Sequence, residues 1–520
     1  MTPTTRKRFR IALAVVTPLL ALLTLIAWSF SSAVASSPDD DFHLPAIWCG
    51  LGERPGLCED FGDPVQRLVP APLISATCYA FHPDVSGECW NAEERGLAVA
   101  GRANADGLYP PVFYAAMAPF ASADVAASVL TIRIVNSVFI VGVLTAVFFA
   151  LPRRLRPVLV VSVVATTVPL GLFLFASTYP SSWAILSAAT VWLCLYGALE
   201  SPTGARQRVL SGLAVFGAFI GAGARADAAI FSVFGVILAL LLGFRRRRGL
   251  VIPLLAAAAV IVISVSFYLM AGQSGAVTGG LDGNTAPLTL GQHFRNFLGV
   301  PGLWVGALGF WGLGWLDTEM PPTVWVLVTA VVGGALFVGL RRPHPRRVLA
   351  VVGTLAALWV VPFAMLALSR AVVGTQVQPR YILPLLVIAV AVASASPRIA
   401  ELWSGTRGAL AAGALAVAGA VALQYNTQRY TTGLDQSSID PGENAEWWWA
   451  GAPSPLVIWV GGSLAFALLL AAFWYISTFS DSVRKIAAAD REEPRRPDDE
   501  AGASQDATAT EATHPLDPVT

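Results

Sequence analysis

Charge is what this 520-residue chain has least of. Only 13% of its residues are Asp, Glu, Lys or Arg, and 34 basic residues nearly cancel 33 acidic ones. A balance that even points to no charged partner, and no basic patch with interleaved aromatics occurs, which excludes a nucleic-acid binder. Cysteine is also scarce, with five in all and no C-x-x-C spacing to suggest a zinc ribbon or a redox pair. Nor is there a long internal repeat, or a polar stretch large enough to fold as an independent soluble enzyme.

What the chain does have is apolar sequence: 55% of it is hydrophobic and the mean hydropathy is +0.63. Long apolar runs recur from end to end, the pattern of an all-α, polytopic transmembrane bundle. Runs at 11–34, 128–150, 157–178, 182–199, 208–223, 228–244, 250–271, 323–340, 348–368, 381–396, 408–424 and 455–477 suggest about twelve spans. Arg6 to Arg10, Arg153 to Arg156, Arg206 and Arg208, Arg245 to Arg248, Arg341 to Arg347, Arg398 and Arg407 then all fall on one side. By the positive-inside rule that side is the cytoplasm, with both termini in it. The apolar segment 297–315 is rich in Gly and Trp. Counting it as a span would put Arg341 to Arg347 outside, so an external re-entrant or interfacial element is expected instead.

Four regions follow. Residues 1–35 hold the cytoplasmic N-terminus and first helix, whose apolar core is longer than a signal h-region and reads as a retained anchor. Residues 36–127 form a large external loop, 128–478 the polytopic membrane domain, and 479–520 a disordered cytoplasmic tail rich in Arg, Glu, Asp and Pro. Four of the five cysteines, Cys49, Cys58, Cys78 and Cys89, lie in the external loop. Three pairings are open to them. Cys49 with Cys58 and Cys78 with Cys89 is the expected one, a metal site being the competitor.

The varied polar groups collect on the expected outer side. Asp39, Asp40, Asp41 and His43 follow the first helix directly. They read either as a solvated cap or as a site holding a general base or a divalent cation such as Mg2+ or Mn2+ through Asp39 and Asp40. Arg225 and Asp227 sit in a glycine-containing break between two runs, either as an internal ion pair or facing a cavity. Trp315 and Asp317 lie in another external segment. Arg370, Gln378, Arg380 and Tyr381 precede the 381–396 run, and an external arginine there is not explained by topology. It is either a snorkelling anchor or a phosphate-binding guanidinium. Trp447, Trp448 and Trp449 read as an interface anchor.

Three of these segments carry a resemblance. Ser37-Pro38-Asp39-Asp40-Asp41-Phe42-His43 resembles the S-P-D-E-x-x-H stretch of the bacterial membrane family catalogued as domain of unknown function 2142. Gly312-Leu313-Gly314-Trp315-Leu316-Asp317-Thr318 resembles that family's F-G-W-L-D-T segment. Gln376-Val377-Gln378-Pro379-Arg380-Tyr381-Ile382-Leu383-Pro384 resembles its Q-G-R-Y-hydrophobic-L-P segment. Two departures are visible: Asp40 stands where the family has glutamate, and Pro379 replaces the glycine before Arg380.

The family's layout is similar to that of the C-type (GT-C) glycosyltransferases. That likeness implies a sugar moved from a polyprenyl-phosphate donor to an envelope glycan or protein acceptor outside the plasma membrane. Asp39 or Asp40 would be base or metal contact, with Asp41 and His43 beside them. Arg380 would hold the donor phosphate, with Arg225, Asp227, Trp315, Asp317, Arg370, Gln378 and Tyr381 as further substrate contacts. A flippase for a lipid-linked saccharide and a non-catalytic scaffold are the alternative functions.

Overall fold

The chain's architecture was read from a computed structural model that describes residues 3–479, apart from 247, 273–274, 276–285, 341–344 and 397–398. The expected tail beyond 479, Arg398, and parts of the Arg245–Arg248 and Arg341–Arg347 clusters therefore lie outside the described residues.

Two helices form the core of the bundle. In α8 (Ser181–Glu200) 94% of the apolar window is buried, and every residue of α15 (Leu383–Ser394) is buried. Both are apolar all round, which suits a helix enclosed by others. Small residues let α9 (Ala205–Ala222) press onto α8: a Cβ at Gly221 would fall 2.3 Å from the Ser187 side chain. The peripheral helices α1 (Pro3–Phe30), α11 (Val251–Met270) and α14 (Pro345–Leu368) have only 28% of their windows buried. They present side chains such as Leu19, Leu255 and Val360, each more than half exposed, where lipid would cover them.

Among the described residues eight helices have the length and hydropathy to cross a membrane, fewer than the expected twelve. They are α1, α5 (Val125–Ala150), α8, α10 (Ala226–Gly243), α11, α14, α17 (Gly405–Thr431), which follows the short α16 (Ile399–Leu402), and α18 (Pro455–Phe479). The expected span at 157–178 is divided into α6 (Arg156–Thr167) and α7 (Leu170–Phe175). Pro169 has no N–H to continue the ladder and holds Val168 in an extended conformation. The expected span at 381–396 is α15, whose 12 residues rise about 18 Å against a hydrocarbon core of about 30 Å. Those at 323–340 and 208–223 correspond to α13 (Pro322–Gly339), a shorter apolar helix, and to α9, whose first turn carries Arg206 and Arg208. The Gly- and Trp-rich segment is a 16-residue helix, α12 (Leu290–Val305), continued by a wide turn over Gly306–Phe310. It leans on α14 through indole bonds from Trp304 to Leu358 O and from Trp359 to Phe297 O.

Between α1 and α5 the chain builds a small folded unit. It contains α2 (Asp40–Trp48), α3 (Pro72–Ser75), α4 (Val112–Met117) and an antiparallel sheet in the order β1 (Glu59–Asp60), β2 (Arg67–Pro70), β3 (Leu97–Ala100). The disulfides Cys49–Cys58 and Cys78–Cys89 close two of its loops, and Cys194 is free and buried in α8.

Candidate functional site

The link from α1 to α2, residues 31–39, runs as a buried, non-helical strand of chain, so its backbone groups need partners from elsewhere. They come from the whole length of the protein. Arg133 of α5 donates to Ser29 O, Ser32 O, Ala33 O and Ser36 Oγ at 2.7–3.0 Å. Asn426 of α17 donates to Ser31 and Ser32, Trp315 Nε1 to Ala35 O at 2.9 Å, Trp449 Nε1 to Phe30 O, and the Tyr79 hydroxyl to Val34 O. Gly314 has a positive φ of 59°, and a Cβ there would fall 3.1 Å from Ser36 O, so only glycine brings this loop so near.

The link ends at Asp39, whose left-handed backbone (φ 57°, ψ 25°) is one that Asp tolerates. That turn sends three consecutive carboxylates three ways. Asp39, with 37% of its side chain exposed, accepts from Arg380 Nη2 at 2.6 Å and lies 4.0 Å from Arg102 Nη2. Asp41 takes a forked pair from Arg102 at 2.7–3.2 Å. Asp40 is buried: it accepts from Ser37 N at 2.9 Å and from the Thr178 hydroxyl at 3.2 Å. Burial pushes its carboxyl up to about 7, against the Ser37 N–H, the Arg133 charge and Thr178.

Arg380 is almost wholly buried and is held from its own turn, donating to Gln378 Oε1 and to the Tyr381 hydroxyl. Its guanidinium lies 5.0 Å from the Tyr381 ring centre and 5.3 Å from that of Tyr179. Tyr381 carries a second guanidinium, that of Arg225, at 5.3 Å, and Arg225 also lies 5.6 Å from the Tyr109 ring. Asp227 grips Arg225 in a fork at 2.9–3.2 Å, so this pair is both an ion pair at a helix start and a wall of the cluster. His43 closes the back. Its Nδ1 is 2.8 Å from the Tyr114 hydroxyl and its ring meets those of Tyr109 and Tyr179 edge-on. Burial, then the charges of Arg225, Arg380 and Arg102, hold its pKa well below the usual imidazole range, so the ring is neutral at pH 7.

Four polar atoms in this cluster are buried without a protein partner: Arg225 Nη1, Arg380 Nε, Tyr179 Oη and His43 Nε2. A buried guanidinium N–H left unpaired is costly, and two of them lie on arginines that stack on the same tyrosine, Tyr381.

The set does not suit a divalent cation. Asp39 faces two guanidiniums, and Asp40 is engaged by Ser37 and Thr178. Among the described residues no three of His, Cys, Asp and Glu gather as ligands.

Other expected residues stand elsewhere. Asp317 accepts from Arg429 Nη2 at 2.8 Å in a fully buried pair, and Trp315 is a clamp on the link. Arg370 lies in the turn just after α14, with an exposed side chain and a φ of 50°. Trp449 is buried against the end of α1, while Trp447, packed beside Gly87, is partly buried. Sequence reasoning missed Arg102, Tyr109, Tyr114, Thr178, Tyr179 and Arg429. Arg102 and Arg429 carried the signal that singled out Arg380, an arginine in a segment that the sequence pattern predicts to be external. The tyrosines and Thr178 carried none.

Neither the curated proteins nor the solved structures hold a match to this chain. A family model does match, over residues 22–389, which take in all three resembling segments. The chain belongs to the family described as predicted membrane protein (DUF2142).

Proposed function

We propose that the cluster around Asp39, Arg225 and Arg380 is the active site of a glycosyltransferase that takes a sugar from a polyprenyl-phosphate donor. The acceptor is an envelope glycan or protein at the outer face of the plasma membrane. The observation that carries this reading is the pair of buried, unpartnered guanidinium N–H groups on Arg225 and Arg380, adjoining a partly exposed carboxylate.

A lipid-linked phosphate entering between the two arginines takes the place of Asp39 on Arg380 Nη2 and satisfies Arg380 Nε and Arg225 Nη1. Its arrival releases the Asp39 carboxylate. The acceptor hydroxyl oxygen then attacks the anomeric carbon, the bond from that carbon to the phosphate oxygen breaks, and Asp39 takes the hydroxyl proton. Both guanidiniums stabilise the charge on the departing phosphate. Asp40 and Arg133 keep the link in place behind Asp39, and the neutral His43 ring backs the tyrosines. On this reading both termini are cytoplasmic, and the disulfide-closed unit lies in the oxidising space where the acceptor is found.

Transfer of labelled sugar from a polyprenyl-phosphate donor in membranes tests the assignment. Asp39→Asn and Arg380→Ala each lower transfer by about 100-fold or more at unchanged protein level, the effect of losing a general base or a charge stabiliser. Wild-type transfer by Asp39→Asn would remove the base from this scheme.

A further inference from the structure

A large cavity lies away from the Asp39 cluster. It is a groove of about 860 Å³ between α1, α5, α6 and α18, with walls that include Ala21, Leu144, Val164 and Phe473. That size lies within the roughly 300–1,000 Å³ of ligand-binding pockets. Its floor runs along α1 from Leu13 to Leu25, a rise of about 18 Å, and one leaflet of a bilayer core of about 30 Å is about 15 Å deep. The lining is mostly apolar, with the hydroxyls of Thr17, Thr24, Thr145, Thr167 and Ser477 among it, and is charged only at one end, where Arg153, Arg154 and Arg156 stand.

A second cavity of about 380 Å³ opens at that same end, lined by Pro152, Arg153, Arg156 and Arg206. The two cavities thus share Arg153 and Arg156. Arg154 is committed to Glu200. Arg156 is oriented by bonds to Phe149 O at 2.9 Å and Leu151 O at 3.2 Å, and stacks 5.1 Å from the Phe148 ring centre. Arg153 and Arg206 are exposed, and their like charges both act on Arg156. The inside bias accounts for arginines in these loops, but not for three of them meeting in one hollow at the mouth of a leaflet-deep apolar groove.

We infer that this is a binding site for an anionic phospholipid of the arginine-bearing leaflet, with its phosphate among Arg153, Arg156 and Arg206 and an acyl chain along α1. The groove's one-leaflet depth favours such a lipid over a polyprenyl chain, which is several times longer. The inference is independent of the chemistry assigned to Asp39 and Arg380.

Native mass spectrometry of the full-length protein in detergent tests it, with phosphatidylglycerol, phosphatidylcholine of the same acyl chains and a polyprenyl phosphate as probes. Phosphatidylglycerol binds more tightly than phosphatidylcholine by roughly 30-fold or more, as expected for two or three basic contacts. The Arg153→Gln/Arg206→Gln variant, which alters only exposed side chains, abolishes that preference. Ala21→Trp, which fills the groove, weakens both phospholipids. Equal binding of the two headgroups, a preference that survives loss of the arginines, or displacement of phosphatidylglycerol by equimolar polyprenyl phosphate would each overturn the inference.

Discussion

Asp39 and Asp40 are neighbours in sequence with opposite environments. Asp39 is partly exposed and faces cations, while Asp40 is sealed in and titrates near 7. Because the folded-state pKa of Asp40 is raised above its ordinary 3.8, folding favours its protonated form. Stability is therefore lost as pH rises from about 4 through about 7, and is flat above that. Asp40→Asn, which is always neutral, should raise the melting temperature by several degrees at pH 8, and the gain should shrink to nothing near pH 4. Thermal unfolding in detergent across that range checks it. A gain that does not vary with pH would mean that Asp40 is not the buried acid described. The sequence showed that acids cluster after the first helix. It could not show which of them is exposed, because that division follows from one left-handed residue and from Ser37 and Thr178.

At the scale of elements, the α1–α2 link has little local structure of its own and is held by α5, α17 and the Trp315 loop. The buried Asp317–Arg429 pair ties two of these holders together, and Arg429 also donates to Tyr79 O at 2.9 Å and to Val85 O. Removing one member leaves an uncompensated charge. Arg429→Met should cost about 3–5 kcal/mol of stability, and the double variant Arg429→Met/Asp317→Leu should cost less than the single one. Equilibrium unfolding of the set decides this, and a double variant no better than the single would show that the pair is not coupled. Hydropathy made most helices legible at this scale, since apolar length is a local property. Among the described residues, eight of the twelve expected spans are helices long and apolar enough to cross; the others include the run that Pro169 interrupts and α15, which stays short inside the bundle. Hydropathy was silent on the clamp, because the residues that Arg133 binds lie about 100 positions away.

Across the whole molecule, the Asp39–Arg380 contact joins positions 341 residues apart. Charge patterning found both residues, Arg380 because an arginine on that side defies the inside bias. It could not find Tyr109 and Tyr179, which look like any interfacial tyrosine until the fold stacks guanidiniums on their faces. The account assigns the two ends of this contact different tasks, the arginine to bind phosphate and the aspartate to accept a proton. Affinity for polyprenyl phosphate without sugar separates them most directly, measured on the wild type, Arg380→Gln and Asp39→Asn. Arg380→Gln should weaken binding by roughly tenfold or more, the worth of a charge-assisted bond. Asp39→Asn keeps the left-handed turn and frees the guanidinium, so it should bind at least as tightly as the wild type. Wild-type affinity in Arg380→Gln, or weakened binding in Asp39→Asn, would contradict the account.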